Sequence, residues 1–189
     1  DLHSTSRRQR QMCIRDRLMV LISDILDLSK IESNTMEFNF CNISLHQVLN
    51  EIGSAQRMNM KKGVELLLDL PGQEITIATD PTRLSQVINN LVNNAIKFTS
   101  EGNICIGYRP ATSNRVKIFV EDTGTGMAKE VIEHIFDRFY KGDAFKQGTG
   151  LGLAICRTIA ERFKGKIEVA STPGKGTRFT IILPLKVEE

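Results

Sequence analysis

Neutral amides follow one face of a predicted helix, where acidic and basic side chains would be usual on a solvated surface. The amides Gln86, Asn90 and Asn94 recur at helical spacing, and Lys97 continues the same face. An amide oxygen can bind a hard cation, and Mg²⁺ already held by phosphate oxygens needs few protein ligands. The face therefore indicates a site for magnesium and phosphate, although an asparagine-rich solvated face fits the same pattern.

Two short segments rich in glycine offer related chemistry. In VEDTGTGM, Asp122 ends a predicted strand, and Gly124 and Gly126 would let a flat ligand approach the backbone. The segment KQGTGLGLAI stands directly before a predicted helix, whose unpaired backbone N–H groups attract phosphate. It contains Gly148, Gly150 and Gly152. Each segment alone also fits an ordinary turn, so only their joint order along the chain is specific.

Composition places few limits on the function. The 189 residues suffice for one well-buried domain and an appendage, with no apolar run long enough to span a membrane. The formal charge of +3 arises within residues 1–17, which hold five arginines and two aspartates. The remainder is neutral and gives no electrostatic reason to expect nucleic acid. The four cysteines show no metal-ligand spacing, which is typical of reduced packing residues.

The basic stretch RRQRQMCIRDR, from Arg7 to Arg17, admits two interpretations. It could be a phosphate-binding arm. It also matches one translation frame of a common transposase sequencing adapter, and agreement over such a run is not expected by chance. We interpret residues 1–17 as a non-native leader that arose by adapter read-through, and exclude them from the fold prediction. Recovery of the arm within a longer, independently sequenced gene would contradict this interpretation.

Helical periodicity predicts five helices. They lie at about residues 18–33, 44–60, 80–97, 129–135 and 151–163. The first has the apolar seam of a bundle or coiled-coil helix. Ser44 can cap the second helix, and Pro81 suits the first turn of the third.

Alternating and apolar runs predict the strands. These runs are MEFNF, VELLLDL, EITIA, NICIGYR, VKIFVED, KIEVAS and TRFTIILPL. The second and third surround the turn at Pro71–Gly72, and the next two meet near Ser113–Asn114. The last two flank the turn 172–176 and are predicted to form an antiparallel pair. Segregated runs of strands and helices predict an α+β fold, a two-layer α/β sandwich in which helices cover one face of one sheet.

The amide and glycine segments, in this order and spacing, resemble the ATP-binding domain of sensor histidine kinases, part of a family shared with gyrase, mismatch-repair and chaperone ATPases. NNLVNNAIKFT is similar to the N box, DTGTGM to the first glycine box, IFDRFYK to the F box and GTGLGLAI to the second glycine box. LISDILDLSKIES resembles the second helix of the dimerisation and histidine-phosphotransfer hairpin. The resemblance implies this helix at residues 18–33 and the ATP-binding catalytic domain at residues 34–189.

Carried over by position, the resemblance implies a site for ATP and Mg²⁺. Asn94 would hold Mg²⁺, with Asn90 and Lys97 near the phosphates. Asp122 would accept the adenine amino group and reject guanine, because a carboxylate cannot donate to a carbonyl. The ATP lid would be anchored by Phe136, Phe139 and Tyr140, of which both phenylalanines also fit plain core packing. The remaining implied ATP-binding residues are Gly124, Gly126, Met127, Lys141, Gly148, Thr149, Gly150, Leu151 and Gly152.

One position separates the subclasses of this family. Its ATP hydrolases resemble one another in carrying a glutamate one helical turn before the metal asparagine, and this position is Asn90 here. An amide cannot take a proton from water. This favours a kinase that transfers the γ-phosphoryl group over an ATPase of the same superfamily. A nucleotide-binding interaction module without catalysis is a further alternative.

The phosphoacceptor histidine of such a kinase is missing. The sequence has no His-Glu-x-x-Thr-Pro type motif, and none of His3, His46 and His134 is assigned a catalytic role. We therefore predict a fragment of a sensor histidine kinase, which would phosphorylate a histidine on a missing hairpin helix and then a response regulator receiver domain. The resemblance implies a homodimeric bacterial parent in the cytoplasm, with or without an anchor in the inner membrane, and no nucleic-acid partner.

Overall fold

The computed structural model describes residues 18–112, 114–141 and 148–186. Helix α1 comprises residues 18–32. The other helices are α2 (Leu45–Arg57), α3 (Pro81–Phe98), α4 (Lys129–Ile132) and α5 (Gly152–Arg162). The strands are β1 (Cys41–Ser44), β2 (Val64–Asp69), β3 (Thr76–Thr79), β4 (Gly102–Thr112), β5 (Arg115–Asp122), β6 (Lys166–Thr172) and β7 (Gly176–Pro184).

Five strands form the main sheet, in the order β2-β4-β5-β7-β6. The outer pair β2 and β4 is parallel, with Val64 opposite Gly102, and the other neighbours are antiparallel. Strands β1 and β3 form a separate antiparallel pair. The predicted antiparallel pair β6–β7 is confirmed, and β4 and β5, which were predicted to meet at a turn, also pair antiparallel.

Helices α2, α3 and α5 cover one face of the main sheet and bury its apolar side chains. Fully buried members of this core include Leu45, Leu49, Leu84, Ile88, Leu91, Ile104, Ile106, Ile118 and Ile159. The predicted α+β sandwich is therefore confirmed. The predicted cap at Ser44 is present, because Ser44 Oγ accepts from the N–H of Gln47 at 3.2 Å. Pro81 lies in the first turn of α3 as predicted, and Asp80 just before it caps the helix by accepting from the N–H of Arg83 at 3.0 Å.

Two strand predictions are wrong in part. VELLLDL and EITIA do form strands, but they lie in different sheets, so the single predicted sheet is in fact a large sheet and a small one. MEFNF, residues 36–40, forms neither a strand nor a helix. Its alternation has another cause: the rings of Phe38 and Phe40 pack edge-on against Phe163, with centroids 5.7 and 5.9 Å away.

Helix α1 presents two different faces. Leu28 and Ile31 pack against the core, whereas residues 18–26 expose large apolar side chains, most of them on the opposite face. These are Leu18, Met19, Val20, Ile22, Ile25 and Leu26. No helix in the described part of the chain combines the length and the apolar composition needed to cross a membrane.

Leu185, just beyond β7, joins separate parts of the fold. Its carbonyl accepts from the N–H of Ala78 in β3, and its N–H donates to the carbonyl of Asn114, both at 2.9 Å. Cys41, Cys105 and Cys156 are free thiols as predicted, but the prediction that they pack in the interior holds fully for Cys156 alone of the three, since Cys105 is half-buried and Cys41 is exposed. Residues 1–17 lie outside the described residues, so the interpretation of the leader stays a prediction.

Candidate functional site

The amide face of α3 lies against the second glycine segment, residues 148–152. A methyl group built on Gly152 would lie 3.7 Å from Nδ2 of Asn90, and one built on Gly148 would lie 3.3 Å from Nζ of Lys97. Asn94 follows Asn90 by one helical turn on the same face, and both are half-buried. The fold thus brings Asn90 and Lys97 to the predicted glycines, although the two segments are far apart in the sequence.

Gln86, the first residue of the amide face, binds elsewhere. Its Nε2 donates to Oδ2 of Asp27 in α1 at 2.6 Å, and its Oε1 accepts from Nη1 of Arg83 at 2.9 Å. Arg83 Nη1 also donates to Oδ1 of Asp27 at 3.2 Å. The amide face is therefore divided: Gln86 at its N-terminal end contacts α1, whereas Asn90 and Lys97 lie against the glycine segment.

The N-terminus of α5 offers backbone N–H groups to the same cleft. Leu151 stands at the N-cap without a side-chain cap bond, and the first turn carries no acidic residue. The Leu151 side chain is fully buried and its N–H donates to Oγ1 of Thr149, so the N–H groups of the following residues, in the first turn of α5, are the ones that can meet a ligand. Gly150 has a φ of 74°, and a methyl group there would lie 2.8 Å from the backbone of Phe139. An uncapped helix N-terminus attracts phosphate through its N–H groups and the helix dipole.

Asp122, at the end of β5, is a buried carboxylate held by backbone donors. Only 7% of the residue is exposed, and its Oδ1 accepts from the N–H of Gly124 at 2.8 Å. Burial raises the pKa of Asp122 above the usual range, while hydrogen bonds from the N–H groups of Gly124 and Thr177 oppose the rise. A carboxylate fixed in this way has acceptor capacity left for a donor on a ligand.

The loop after Asp122 is fixed at both ends. On one side the N–H of Thr125 donates to the carbonyl of Phe98, at the end of α3, at 3.2 Å. On the other, the N–H of Met127 donates to Oγ of Ser171 in β6 at 2.8 Å. Gly126 has a φ of 63°, and a methyl group there would collide with the carbonyl oxygen of Thr172. The loop's two glycines are therefore required by close backbone approach; at Gly124 the methyl group would lie 2.5 Å from the Phe98 oxygen.

The predicted lid anchors differ in their packing. Phe136 lies edge-on against Phe179, with centroids 6.4 Å apart, and Tyr140 packs against the core. Phe139 is 64% exposed, and its contact with the glycine segment is a backbone one, from its N–H to the carbonyl of Gly150 at 2.9 Å. Lys141 is exposed, and the lid residues 142–147 lie outside the described residues.

The donor set of the cleft fits Mg²⁺ held together with phosphate. Among the residues that the structure describes, no three His, Cys, Asp or Glu side chains gather into a metal-binding group. A cation here would depend on an amide oxygen of α3 and take its other ligands from phosphate and water. Mg²⁺ accepts such a set, since it keeps several waters and binds few protein ligands.

Residues 79–187 match the family described as histidine kinase-, DNA gyrase B-, and HSP90-like ATPase, which is more than half of the chain. The chain belongs to this family. The match runs from β3 to beyond β7, so it includes α3, the loop after Asp122 and the glycine segment before α5. These segments therefore form an ATP-binding domain of the type that histidine kinases contain.

Curated relatives of the chain are sensor histidine kinases. The chain is 40% identical over 174 residues to sensor histidine kinase RcsC of Escherichia coli K12, covering 89% of this chain and 18% of the relative. It is 32% identical over 180 residues to sensor histidine kinase WalK of Bacillus subtilis, covering 92% of this chain and 30% of the relative. The chain thus spans less than a third of either relative.

Solved structures of histidine kinases share the fold. Full-length ShkA, crystallised in complex with AMPPNP, superposes with a TM-score of 0.83 at 27% identity, covering 92% of this chain and 37% of ShkA. The catalytic domain of ThkA superposes with a TM-score of 0.69 at 30% identity, covering 80% of this chain and 97% of that domain.

Several residues around the cleft escape prediction from the sequence. Thr177 and Ser171 lie on late strands whose patterns show only alternation, so their contacts with Asp122 and Met127 depend on tertiary structure. Asp24 and Asp27 did leave a signal, because the two acids interrupt the mainly apolar stretch of residues 18–28. Their partners on the domain, Thr149 and Arg83, could not be identified without the fold.

Proposed function

We propose that this chain binds Mg-ATP in the cleft between α3, the loop after Asp122 and the start of α5. The observation that carries the proposal is the meeting of Asn90 and Lys97 with the glycine segment at an uncapped helix N-terminus. In this arrangement Asp122 accepts the adenine amino group, while Asn94 binds Mg²⁺ and Lys97 lies near the phosphates. The glycines leave space for the phosphates, and the N–H groups at the start of α5 offer partial positive charge and hydrogen bonds to them.

We further propose that the bound nucleotide serves histidine phosphorylation. The parent protein is a homodimeric sensor kinase that transfers the γ-phosphoryl group to a hairpin histidine and then to a response regulator receiver domain. Such transfer requires positioning and electrostatic stabilisation more than covalent chemistry by the domain. Asn90 supports transfer over hydrolysis, because it faces Gly152 at the start of α5 and cannot act as a base for water.

The exposed apolar face of α1 supports the homodimer in this proposal. Its row of exposed side chains, from Leu18 to Leu26, is the surface that a bundle helix would bury against a hairpin partner. The parent kinase would work in the cytoplasm, with an anchor in the inner membrane as an option for the complete protein. The domain is expected to act without nucleic acid.

The state of the histidines is also compatible with a second candidate, a nucleotide-binding interaction module without catalysis. His46 is bonded to the buried hydroxyl of Tyr108, and His134 pairs with Asp137 at 2.8 Å. Neither lies on α1, the proposed hairpin helix, and His3 is outside the described residues.

A transfer assay separates these functions. The chain is incubated with Mg²⁺, γ-labelled ATP and a hairpin domain of a related sensor kinase that carries its acceptor histidine. The proposal expects acid-labile phosphate on the supplied hairpin, and none when that histidine is glutamine. Binding without transfer would favour the module, and steady phosphate release by the chain alone would favour an ATPase.

The buried carboxylate predicts a pH dependence of binding. Since the pKa of Asp122 is raised by burial, the carboxylate protonates at a higher pH than an ordinary aspartate, and its bond from adenine is then lost. We expect the affinity for ATP to fall on acidification through that range. Inorganic tripolyphosphate has no nucleobase, so the pH dependence of its affinity measures the contribution of phosphate protonation alone. An equal pH dependence for both ligands would show that Asp122 does not bind adenine.

A further inference from the structure

Helix α1 is docked on the ATP-binding domain through its acidic residues. Asp27 is only 8% exposed and accepts bonds from Arg83 and Gln86 at the N-terminal end of α3. A buried carboxylate of this kind requires its partners, since removing them leaves an uncompensated charge. Glu32, at the other end of α1, is paired with Arg138. The domain thus holds α1 at two separated points.

A third acidic contact reaches the glycine segment itself. Oγ1 of Thr149 donates to Oδ2 of Asp24 at 2.7 Å. The same hydroxyl oxygen accepts the N–H of Leu151 at 3.1 Å, so the contact lies at the first turn of α5. Gly148 and Gly150 flank Thr149 in the sequence. The carboxylate of Asp24 therefore lies against the segment that is proposed to receive the phosphates of ATP.

The charge of Asp24 extends into the same region. Burial raises the pKa of the Cys156 thiol to about 12, a hydrogen bond with Asn90 opposes this rise, and the charge of Asp24 adds to it. Asp24 is thus close enough to act on a side chain that contacts Asn90, which in turn faces Gly152. A phosphate group near these residues would meet a carboxylate in a partly desolvated setting, where like charges repel more than in water.

We propose that docking of α1 through Asp24 and binding of ATP are antagonistic: the docked carboxylate weakens ATP binding, and bound ATP loosens α1. The inference rests on the proposed nucleotide site. Its energetic basis is reciprocal, since a helix position that lowers the affinity for ATP must itself be disfavoured by ATP to the same extent. Asp27 and the contacts of Phe38 and Phe40 with Phe163 hold α1 close to the domain when the Asp24 contact opens.

The first test measures binding of a fluorescent ATP analogue to the full chain in the presence of Mg²⁺. Asp24→Asn keeps the side-chain shape and removes the charge, and we expect it to bind the analogue about fivefold more tightly than the unmodified chain. Glu51→Gln is the matched control, because it removes an equal charge from an exposed site on α2 that contacts only Gln47 among the described residues. It should leave the affinity unchanged.

The second test follows α1 directly, by hydrogen exchange of residues 18–32. Addition of the non-hydrolysable analogue AMPPNP should speed exchange in the unmodified chain, with a smaller change in Asp24→Asn. Thr149→Val, which removes the hydroxyl donor, should speed exchange without any nucleotide. If the unmodified chain binds the analogue and Asp24→Asn binds it equally or more weakly, the proposed antagonism is wrong, while the proposed nucleotide site is still supported. Absence of binding by the unmodified chain overturns the nucleotide site, and the antagonism with it.

Discussion

Replacement of Asp122 by asparagine is expected to weaken ATP binding about 100-fold or more, a loss of ~3 kcal/mol. The carboxylate already accepts the N–H of Gly124 at 2.8 Å and a bond from the N–H of Thr177. Asparagine has one acceptor oxygen, so its NH₂ group must face either a backbone donor or the adenine amino group. One of these bonds is lost in either orientation, inside a site too buried for water to compensate.

The same substitution should reduce the preference of the site for adenine over guanine. The amide that takes the place of the Asp122 carboxylate could donate to the carbonyl of guanine, which the carboxylate itself cannot do. We therefore expect the ratio of ATP to GTP affinity to fall in Asp122→Asn, as measured by calorimetric titration of both nucleotides. Glu121→Gln is the matched control: the neighbouring side chain is exposed and bonds to Arg178 at 2.9 Å. If Asp122→Asn stays folded and binds ATP with unchanged affinity, Asp122 is not the acceptor of the adenine amino group.

Replacement of Asn94 by alanine is expected to remove the Mg²⁺-dependent part of ATP binding, with affinity in Mg²⁺ about 30-fold lower. The reason is the sparse donor set, since the described residues contain no acidic cluster that could replace the lost amide oxygen. When a chelator removes Mg²⁺, the ion cannot contribute, and the variant and the unmodified chain should bind ATP with equal affinity.

Asn93→Ala provides the matched control for Asn94→Ala. Asn93 is the preceding residue of α3 and is exposed, whereas Asn94 is half-buried on the face that carries Asn90. Both changes place alanine in the same helix, so they alter helix propensity equally. Binding should be measured by titration of ATP at fixed Mg²⁺ and again with chelator. Equal losses in both variants, or a loss that persists in chelator, would contradict a metal role for Asn94.

Local features of the fold could be predicted because they depend on residues close together in the sequence. The caps at Ser44 and Asp80 and the antiparallel pairs β4–β5 and β6–β7 need only short-range patterns. The amide face of α3 follows from helical spacing alone. Its meeting with Gly148 and Gly152 was predictable through the resemblance to the family, not through the spacing.

Features set by distant contacts could not be predicted. The short apolar runs of β2 and β3 do not specify a partner, and β2 pairs in parallel with β4 only after α3 has brought the chain back. Phe139 is a large aromatic residue between Phe136 and Tyr140, which pack inward, yet it has a positive φ of 62° and is exposed. The docking of α1 depends on Asp27 meeting Arg83 and Gln86, a contact that neither segment reveals by itself.

The bonds of Leu185 bear on how the chain unfolds. One residue ties β3 of the small sheet to the turn between β4 and β5 of the large sheet. Strand β2 lies between β1 and β3 in the sequence but belongs to the other sheet. Neither sheet can therefore unfold while the other stays intact. The two sheets should therefore melt as one cooperative unit, and loss of the C-terminal strand should destabilise the N-terminal half of the domain as much as the neighbouring strands.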